Sequence, residues 1–326
     1  MRPSYRKIDY RVRPAKSIER KMLVESFRRL CEFGQLCAYR YVGFGSLYFS
    51  DFMLFHKALG FDSMVSIENT TDRQNQERFR MNVPFGNIAL EFGHSNGVLQ
   101  KLDWAVRTVA WLDYDKALSK ECLVDVAYLA QHACAGSVIV VSVNAGNLES
   151  ATKEELATDD AMGQPPTLVE LLKKAVGEDE VPVEVRASDL SGWGVAKVFR
   201  QIVDTKIADA LRVRNERLPA GARIRYRQLY NFHYQDDARM LTVGGVLYDE
   251  GQDSLLARCA FQQLDFIRDG EDAYRIETAL LTHKEMRQID AERSLRRTGL
   301  PLPASDIEKY DRTYRYYPTF VEAEIG

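Results

Sequence analysis

Cysteine is scarce in this chain: five residues, Cys31, Cys37, Cys122, Cys134 and Cys259, odd in number and scattered, with no Cys-x-x-Cys pair. That spacing argues against both a zinc knuckle and a disulfide framework, and it predicts reduced core thiols in a cytoplasmic protein. No apolar run approaches the roughly 20 residues of a membrane-spanning helix. The opening stretch, Met1 to Lys7, lacks the apolar core of a signal peptide. His56, His94, His132, His233 and His283 show no paired metal-ligand spacing, so no metal site is expected. No Gly-x-Ser-x-Gly elbow, phosphate-loop lysine motif or kinase set is found, and no repeat of fixed period.

What is present is ordinary in bulk and informative in detail. The 326 residues are 45% apolar, enough for one large α/β domain with insertions or two smaller ones. Net charge is −3, which excludes a chain that is a polycation throughout. Positive charge gathers at the front, however. Arg2, Arg6, Lys7, Arg11, Arg13, Lys16, Arg20 and Lys21 face only Asp9 and Glu19. Such a basic arm could touch phosphates of a nucleic acid, or a protein partner. The plainer expectation is a solvated segment draped on an acidic surface. Residues 149–160 and 177–184 are acid-rich and read as exposed connections.

The most telling motif is Tyr41-Val-Gly43-Phe44-Gly45-Ser46, followed 25 residues after Gly43 by Glu68. An apolar strand ends in a Gly-x-Gly-Ser turn and opens a helix, Tyr48 to Leu59. A second strand, Met64 to Ile67, then ends in an acid. Glycines in such a turn let the backbone approach a ligand, and a carboxylate at the next strand's tip accepts from ribose hydroxyls. The alternative is a tight strand-to-helix turn beside a solvated Glu68.

The rest of the chain alternates. Lys21 to Phe33 has a helical apolar period. Thr71 and Gln74 have capping-box spacing before a short polar helix. Asn87 to Glu91 reads as a third strand ending at Gly93-His94-Ser95, and a helix to about Leu102 follows. Thr108 to Leu112 is a fourth strand ending in Asp113-Tyr114-Asp115. Leu123 to Cys134 is helical, and the β-branched run from Gly136 to Val143 is a fifth, buried strand. Thr167 and Glu170 form a capping box, and Val195 to Leu211 a longer helix. Arg225–Tyr234 and Arg239–Tyr248 flank a polar break and form a β-hairpin. Thr282 and Glu285 open a last helix that ends near Gly299 and Pro301.

Five strands alternating with helices, then a helix and an antiparallel hairpin, resemble the class I S-adenosylmethionine-dependent methyltransferases over roughly residues 35–250. Tyr41 to Phe52 and Trp111 to Asp115 also look like bacterial O-methyltransferases of that kind. The resemblance implies a Rossmann-like sheet of about seven strands, mostly parallel with a C-terminal antiparallel hairpin and helices on both faces. Residues 1–34 would be a basic arm and helix, and 251–326 a helical extension. S-adenosylmethionine would be the cofactor, with Gly43, Phe44, Gly45, Ser46, Glu68, His94 and Ser95 around it.

The match is uneven. The third glycine of the motif falls at Leu47, and the acid that often precedes the first glycine is Tyr41. Gly93, His94 and Ser95 stand where many members place an acid for the adenine amino group. Asp113 and Asp115 sit where the fourth-strand motif lies, beside the methyl group. Two apart, they would share a face if the strand continued to Asp115. One could then be a general base for an unidentified acceptor or help bind a hard cation, although two acids alone make a weak metal site. Asp113 could instead cap the following helix. No Pro-Pro-Tyr follows, which argues against a planar amine acceptor. O-methyl transfer is the expected activity. Two alternatives stand beside it: a nucleoside- or nucleotide-binding protein without methyl transfer, acting as a sensor or assembly component, and a nucleic-acid methyltransferase using the basic arm. Ser191-Gly-Trp193-Gly194 reads as a helix-start turn or a loop over the ligand. Tyr226, Tyr230, Phe232 and Tyr234 read as core or as a stacking platform for bases.

Overall fold

The structure, a computed structural model, describes residues 13–146, 148, 166–292 and 301–318. The acid-rich stretch at 149–160 and the predicted helix end near Gly299 lie outside these residues. One eight-stranded sheet organises the chain, in the order β3-β2-β1-β4-β5-β7-β6-β8. The first five strands are β1 (Arg40–Gly43), β2 (Ser63–Glu68), β3 (Ile88–Phe92), β4 (Thr108–Asp113) and β5 (Val138–Asn144). They are mutually parallel. β6 (Ile224–Gln235) and β7 (Arg239–Asp249) form the expected hairpin, and β7 pairs antiparallel to β5. The sheet is therefore mostly parallel with one reversed strand. β8 (Tyr274–Ile276) adds a short parallel edge beside β6. It is three residues long, too short for any periodicity to mark it, and it lies in the part expected to be helical.

Strand alternation splits the interior into two cores. Tyr41, Val109, Trp111, Val138 and Val140 face one side, against α1 (Pro14–Arg28) and α2 (Ser50–Leu59). Val42, Ala110, Leu112, Ile139 and Val141 face the other, against α5 (Lys120–His132), α6 (Leu168–Val176) and α7 (Gly194–Asn215). A strand buried on both faces has no polar side to show, which is why β5 opens with the β-branched run Val138–Val141. Among the described residues, further α-helices are α3 (Arg73–Asn82), α4 (Ser95–Leu99), α8 (Asp253–Arg258), α9 (His283–Ala291) and α10 (Ala304–Thr313). The capping boxes at Thr167/Glu170 and Thr282/Glu285 are formed. That at Thr71/Gln74 is not: Asp72 caps α3, accepting from the Asn75 amide at 2.7 Å.

The largest correction concerns the front of the chain. The solvated basic arm does not hold for residues 14–20. They begin α1, and Ala15, Lys16, Ile18, Glu19 and Arg20 are buried. Pro14 suits a helix start because its missing N–H would have no intrahelical partner. The next two amides, of Ala15 and Lys16, donate to the two oxygens of Asp236 at 3.1 Å each. Asp236 belongs to the β6–β7 turn, so the helix is capped by a residue more than 200 positions away.

Candidate functional site

Parallel strands put their C-terminal ends on one edge, and ligands of open α/β sheets bind there. Register brings Gly43 beside Ser66 and Trp111, Glu68 beside Phe92, and Asp113 beside Ser142. Gly43–Ser46, Glu68, His94–Ser95 and Asp113 therefore converge on this edge.

The turn after β1 is tightly built. Ser46 and Phe49 hold positive φ values of 52° and 46°, a conformation costly for residues with a side chain. Phe49 is also fully buried. A Cβ on Gly45 would meet the Phe49 ring at 2.7 Å and also run into the Ser66 hydroxyl. A Cβ on Gly43 would lie 2.6 Å from the Tyr41 hydroxyl oxygen. Close packing within the protein already demands both glycines. Phe44 turns its ring edge-to-face against Tyr114, at 5.1 Å between centroids.

Glu68 is the buried acid of the site, 6% exposed. Its Oε1 accepts from the Gly45 amide at 3.0 Å and the Ser66 hydroxyl at 2.7 Å. Its Oε2 accepts no hydrogen bond from the described residues. The carboxylate thus staples the glycine turn to β2 with one oxygen and leaves the other open. Burial pushes its pKa up to about 7, with the bonds from Ser66 and Gly45 opposing. The alternative of a solvated Glu68 is excluded.

His94 is exposed at the start of α4, with Asn69 Nδ2 3.4 Å from its Nδ1. Ser95 is committed elsewhere. Ser95, Asn96 and Tyr114 all hydrogen-bond Asp125, which is fully buried on α5. Burial raises the Asp125 pKa.

Asp113 and Asp115 separate. β4 ends at Asp113 and Asp115 is exposed, so the two acids do not share a strand face. Asp113 does not cap α5, because Ser119 does. Instead its Oδ2 lies 2.8 Å from Lys16 Nζ. Lys16 Nζ is also 2.8 Å from Glu19 Oε2, donates to Tyr234 at 3.1 Å, and stands 4.3 Å from the Trp111 ring centroid. Glu19 accepts in turn from Thr242, which is 2.6 Å from Ser142, itself the acceptor of the Trp111 indole N–H at 2.9 Å. Burial alone would lower the Lys16 pKa. The carboxylates of Asp113 and Glu19 outweigh it, and the pKa lies well above the usual lysine value. Burial raises the Glu19 pKa against the pull of Lys16. Arg20 and Asp51 form a second buried pair alongside.

Sequence reasoning missed this network because its members are scattered over α1, β4, β5 and the hairpin. The one local trace was Lys16 and Glu19 at i, i+3, which is also the spacing of ordinary surface pairs. A cavity of about 650 Å³ on the outer side of α1, lined by Lys21, Glu25, Arg28, Arg258, Arg315 and Tyr316, contains none of these strand-edge residues. Among the described residues no group of three or more His, Cys, Asp or Glu side chains is placed to hold a metal ion. No described helix is long and apolar enough to cross a membrane.

The reversed β7, the glycine turn and the acid at the β2 tip define a Rossmann-like methyltransferase fold. The chain belongs to the family described as "Putative O-methyltransferase", which it matches over residues 8–325. No curated protein matches the sequence. Among solved structures, the fold is similar to that of the O-methyltransferase from Bacillus cereus in complex with SAH, at 12% identity and a TM-score of 0.33, over 75% of this chain and 84% of that one. It is similar to CrArsM, an arsenic(III) S-adenosylmethionine methyltransferase from Chlamydomonas reinhardtii, at 12% identity and a TM-score of 0.36, over 66% of this chain and 64% of that one. LepI in complex with SAH and a substrate analogue aligns at 11% identity and a TM-score of 0.33 over 64% of this chain, which spans only 43% of LepI.

Proposed function

We propose that this protein is an S-adenosylmethionine-dependent methyltransferase that methylates an oxygen of its acceptor. The observation that carries the reading is Glu68. It is a buried carboxylate with one oxygen fixed to the glycine turn and the other open at the strand edge, the arrangement needed to receive a ribose hydroxyl. The bound cofactor would supply an electrophilic methyl group on a sulfonium. The chain's part is to hold the nucleoside, line up the acceptor and keep water out. Glu68 would take the ribose, and the backbone of Gly43 to Ser46 would pass beside it. Asp113, at the tip of β4, would orient the acceptor. Two departures from the family pattern bear on the fit. Tyr41 lies wholly in the core, so it cannot replace the acid that precedes the first glycine. Gly93, His94 and Ser95 stand where an adenine-binding acid is usual.

Asp113 is tied to a buried ammonium, which favours a role as hydrogen-bond acceptor over one as a strong base. The same observation keeps a second reading open, nucleoside binding without methyl transfer. Five free cysteines support a cytoplasmic location. The basic arm gives less support to a nucleic-acid partner than its charge suggested, since Lys16 and Arg20 are spent on buried pairs.

Calorimetric titration with S-adenosylmethionine, S-adenosylhomocysteine, NAD and ATP tests the reading. Binding of the first two, weakened about tenfold to a hundredfold in Glu68→Ala through loss of a charge-assisted bond, is the expected result. Equal affinity of well-folded wild type and variant would remove the ribose role.

A further inference from the structure

On the α7 side of the same edge lies a cluster that the cofactor reading leaves unused. Trp193, immediately before α7, stacks on His233 of β6, with 4.8 Å between ring centroids and planes 9° apart. His233 is 2% exposed, and neither ring nitrogen has a hydrogen-bond partner. Three cations surround the stack. The Arg239 guanidinium, at the start of β7, stands 5.9 Å from the Trp193 ring centroid. Arg275 is the β8 register partner of His233 and shares its face. Lys197 is one turn beyond Trp193 on α7. None of the three side chains has an acidic or hydrogen-bonding partner among the described residues. The acids near them in sequence are engaged elsewhere: Asp237 pairs with Arg13, Glu277 with Arg312, and Asp189 accepts from the Arg186 amide. No side chain caps the first turn of α7, which adds the positive end of a helix of 22 residues. Burial, then Arg275 and Lys197, lower the His233 pKa to about 4, so the imidazole is neutral and both charges acting on it are positive.

Position ties the cluster to the reactive edge. Ala145, just past the β5 tip, donates its amide to the Arg239 carbonyl at 2.8 Å. β7 is two strands from β4, about 10 Å at ordinary strand spacing. Lys197 and Arg275 are exposed and Arg239 lies over a partly open indole, so this rim offers positive charge to solvent in a protein whose net charge is −3. The indole and its cations match a ligand that is flat and negative: the ring stacks, and the anion meets Arg239 and Lys197.

We propose that Trp193, Arg239, Lys197 and Arg275 form the acceptor-binding wall, and that the acceptor is a small aromatic anion carrying a carboxylate. This rests on the methyltransferase reading, since it is that reading which puts an acceptor at this edge. The test is calorimetry on the full chain, with and without S-adenosylhomocysteine. The probes are 4-hydroxybenzoate, phenyl phosphate and the neutral 4-hydroxybenzamide. The carboxylate binds at least tenfold more tightly than the amide. Arg239→Gln combined with Lys197→Gln removes that preference and leaves the amide unchanged. Arg212→Gln, farther along α7, changes nothing. The proposal is overturned if neither anion binds, if amide and carboxylate bind alike, or if Arg212→Gln weakens binding as much as the double variant. Tighter binding of phenyl phosphate than of the carboxylate replaces the carboxylate with a phosphate. Failure of S-adenosylhomocysteine to bind while the carboxylate still does removes the methyltransferase reading and spares the anion site.

Discussion

Lys16 on the first helix and Asp113 at the tip of the fourth strand form an ion pair of 2.8 Å, with the lysine side chain 2% exposed. The pair joins the front of the chain to the middle of the sheet at the edge where the methyl acceptor is proposed to bind. Burying charge is costly, and a half-broken buried pair costs more than none. α1 is therefore held to the strand edge by groups that do not tolerate separation.

Lys16→Met should cost about 3–5 kcal/mol, because it leaves Asp113 and Glu19 without their cation. Lys16→Met combined with Asp113→Asn should cost clearly less than the sum of the two singles. Urea unfolding of the four proteins measures this. Simple additivity would mean that the pair is not coupled.

Asp113→Asn should be far from silent, since Asp113 caps no helix. It should lower stability through Lys16 yet leave S-adenosylhomocysteine affinity within about threefold. Once an acceptor is found, loss of the carboxylate that orients it should lower the rate by about 10²-fold. Unchanged turnover would take Asp113 off the catalytic list and leave positioning of α1 as its role.

Glu68 makes a prediction with a sign. Its folded pKa of about 7 is above the ordinary 4.5, so between those values the folded state holds more protons than the unfolded one. Its contribution to stability is full below about pH 4.5 and is lost as pH rises toward 7, by about 3 kcal/mol. Glu68→Gln should remove that loss, and the gap between wild-type and variant stability at pH 5 and pH 8 measures it. Ribose hydroxyls favour the ionised form, so wild-type affinity for S-adenosylhomocysteine should climb with pH up to about 7 and then level off. A flat profile would argue against contact between the nucleoside and this carboxylate.

Gly45→Ala should destabilise by about 1–3 kcal/mol, the usual cost of overpacking, because its methyl meets the Phe49 ring and the Ser66 hydroxyl. Gly45→Val should cost more. A thermal melt reads the loss directly. An unaltered melting temperature with lost nucleoside binding would instead make the cofactor the reason for the glycine.

The sheet was legible in the sequence because its cause is local. Strands buried on both faces leave β-branched runs, as in Val138–Val141, and helices leave a period of 3.6 with caps such as Thr167 and Glu170. The turn at Gly43 and Gly45 and the acid at Glu68 were legible for the same reason, since strand, turn, helix and strand lie within thirty residues. Boundaries slipped where two signals overlapped: α1 begins at Pro14, yet its first turns carry the basic residues that suggested a solvated arm.

Tertiary structure alone decided which charges are buried and what they touch. Lys16 and Lys21 sit on the same helix, and nothing nearby in sequence distinguishes the one that reaches Asp113 from the one that lines an outer cavity. The cap of α1 comes from Asp236, and the neighbour of Trp193 is His233. Such contacts depend on the order β4-β5-β7-β6 and on side-chain direction across it. A short-range pattern records periodicity and turns; it does not record which distant carboxylate compensates a buried ammonium, because that is settled only when the sheet closes and water leaves.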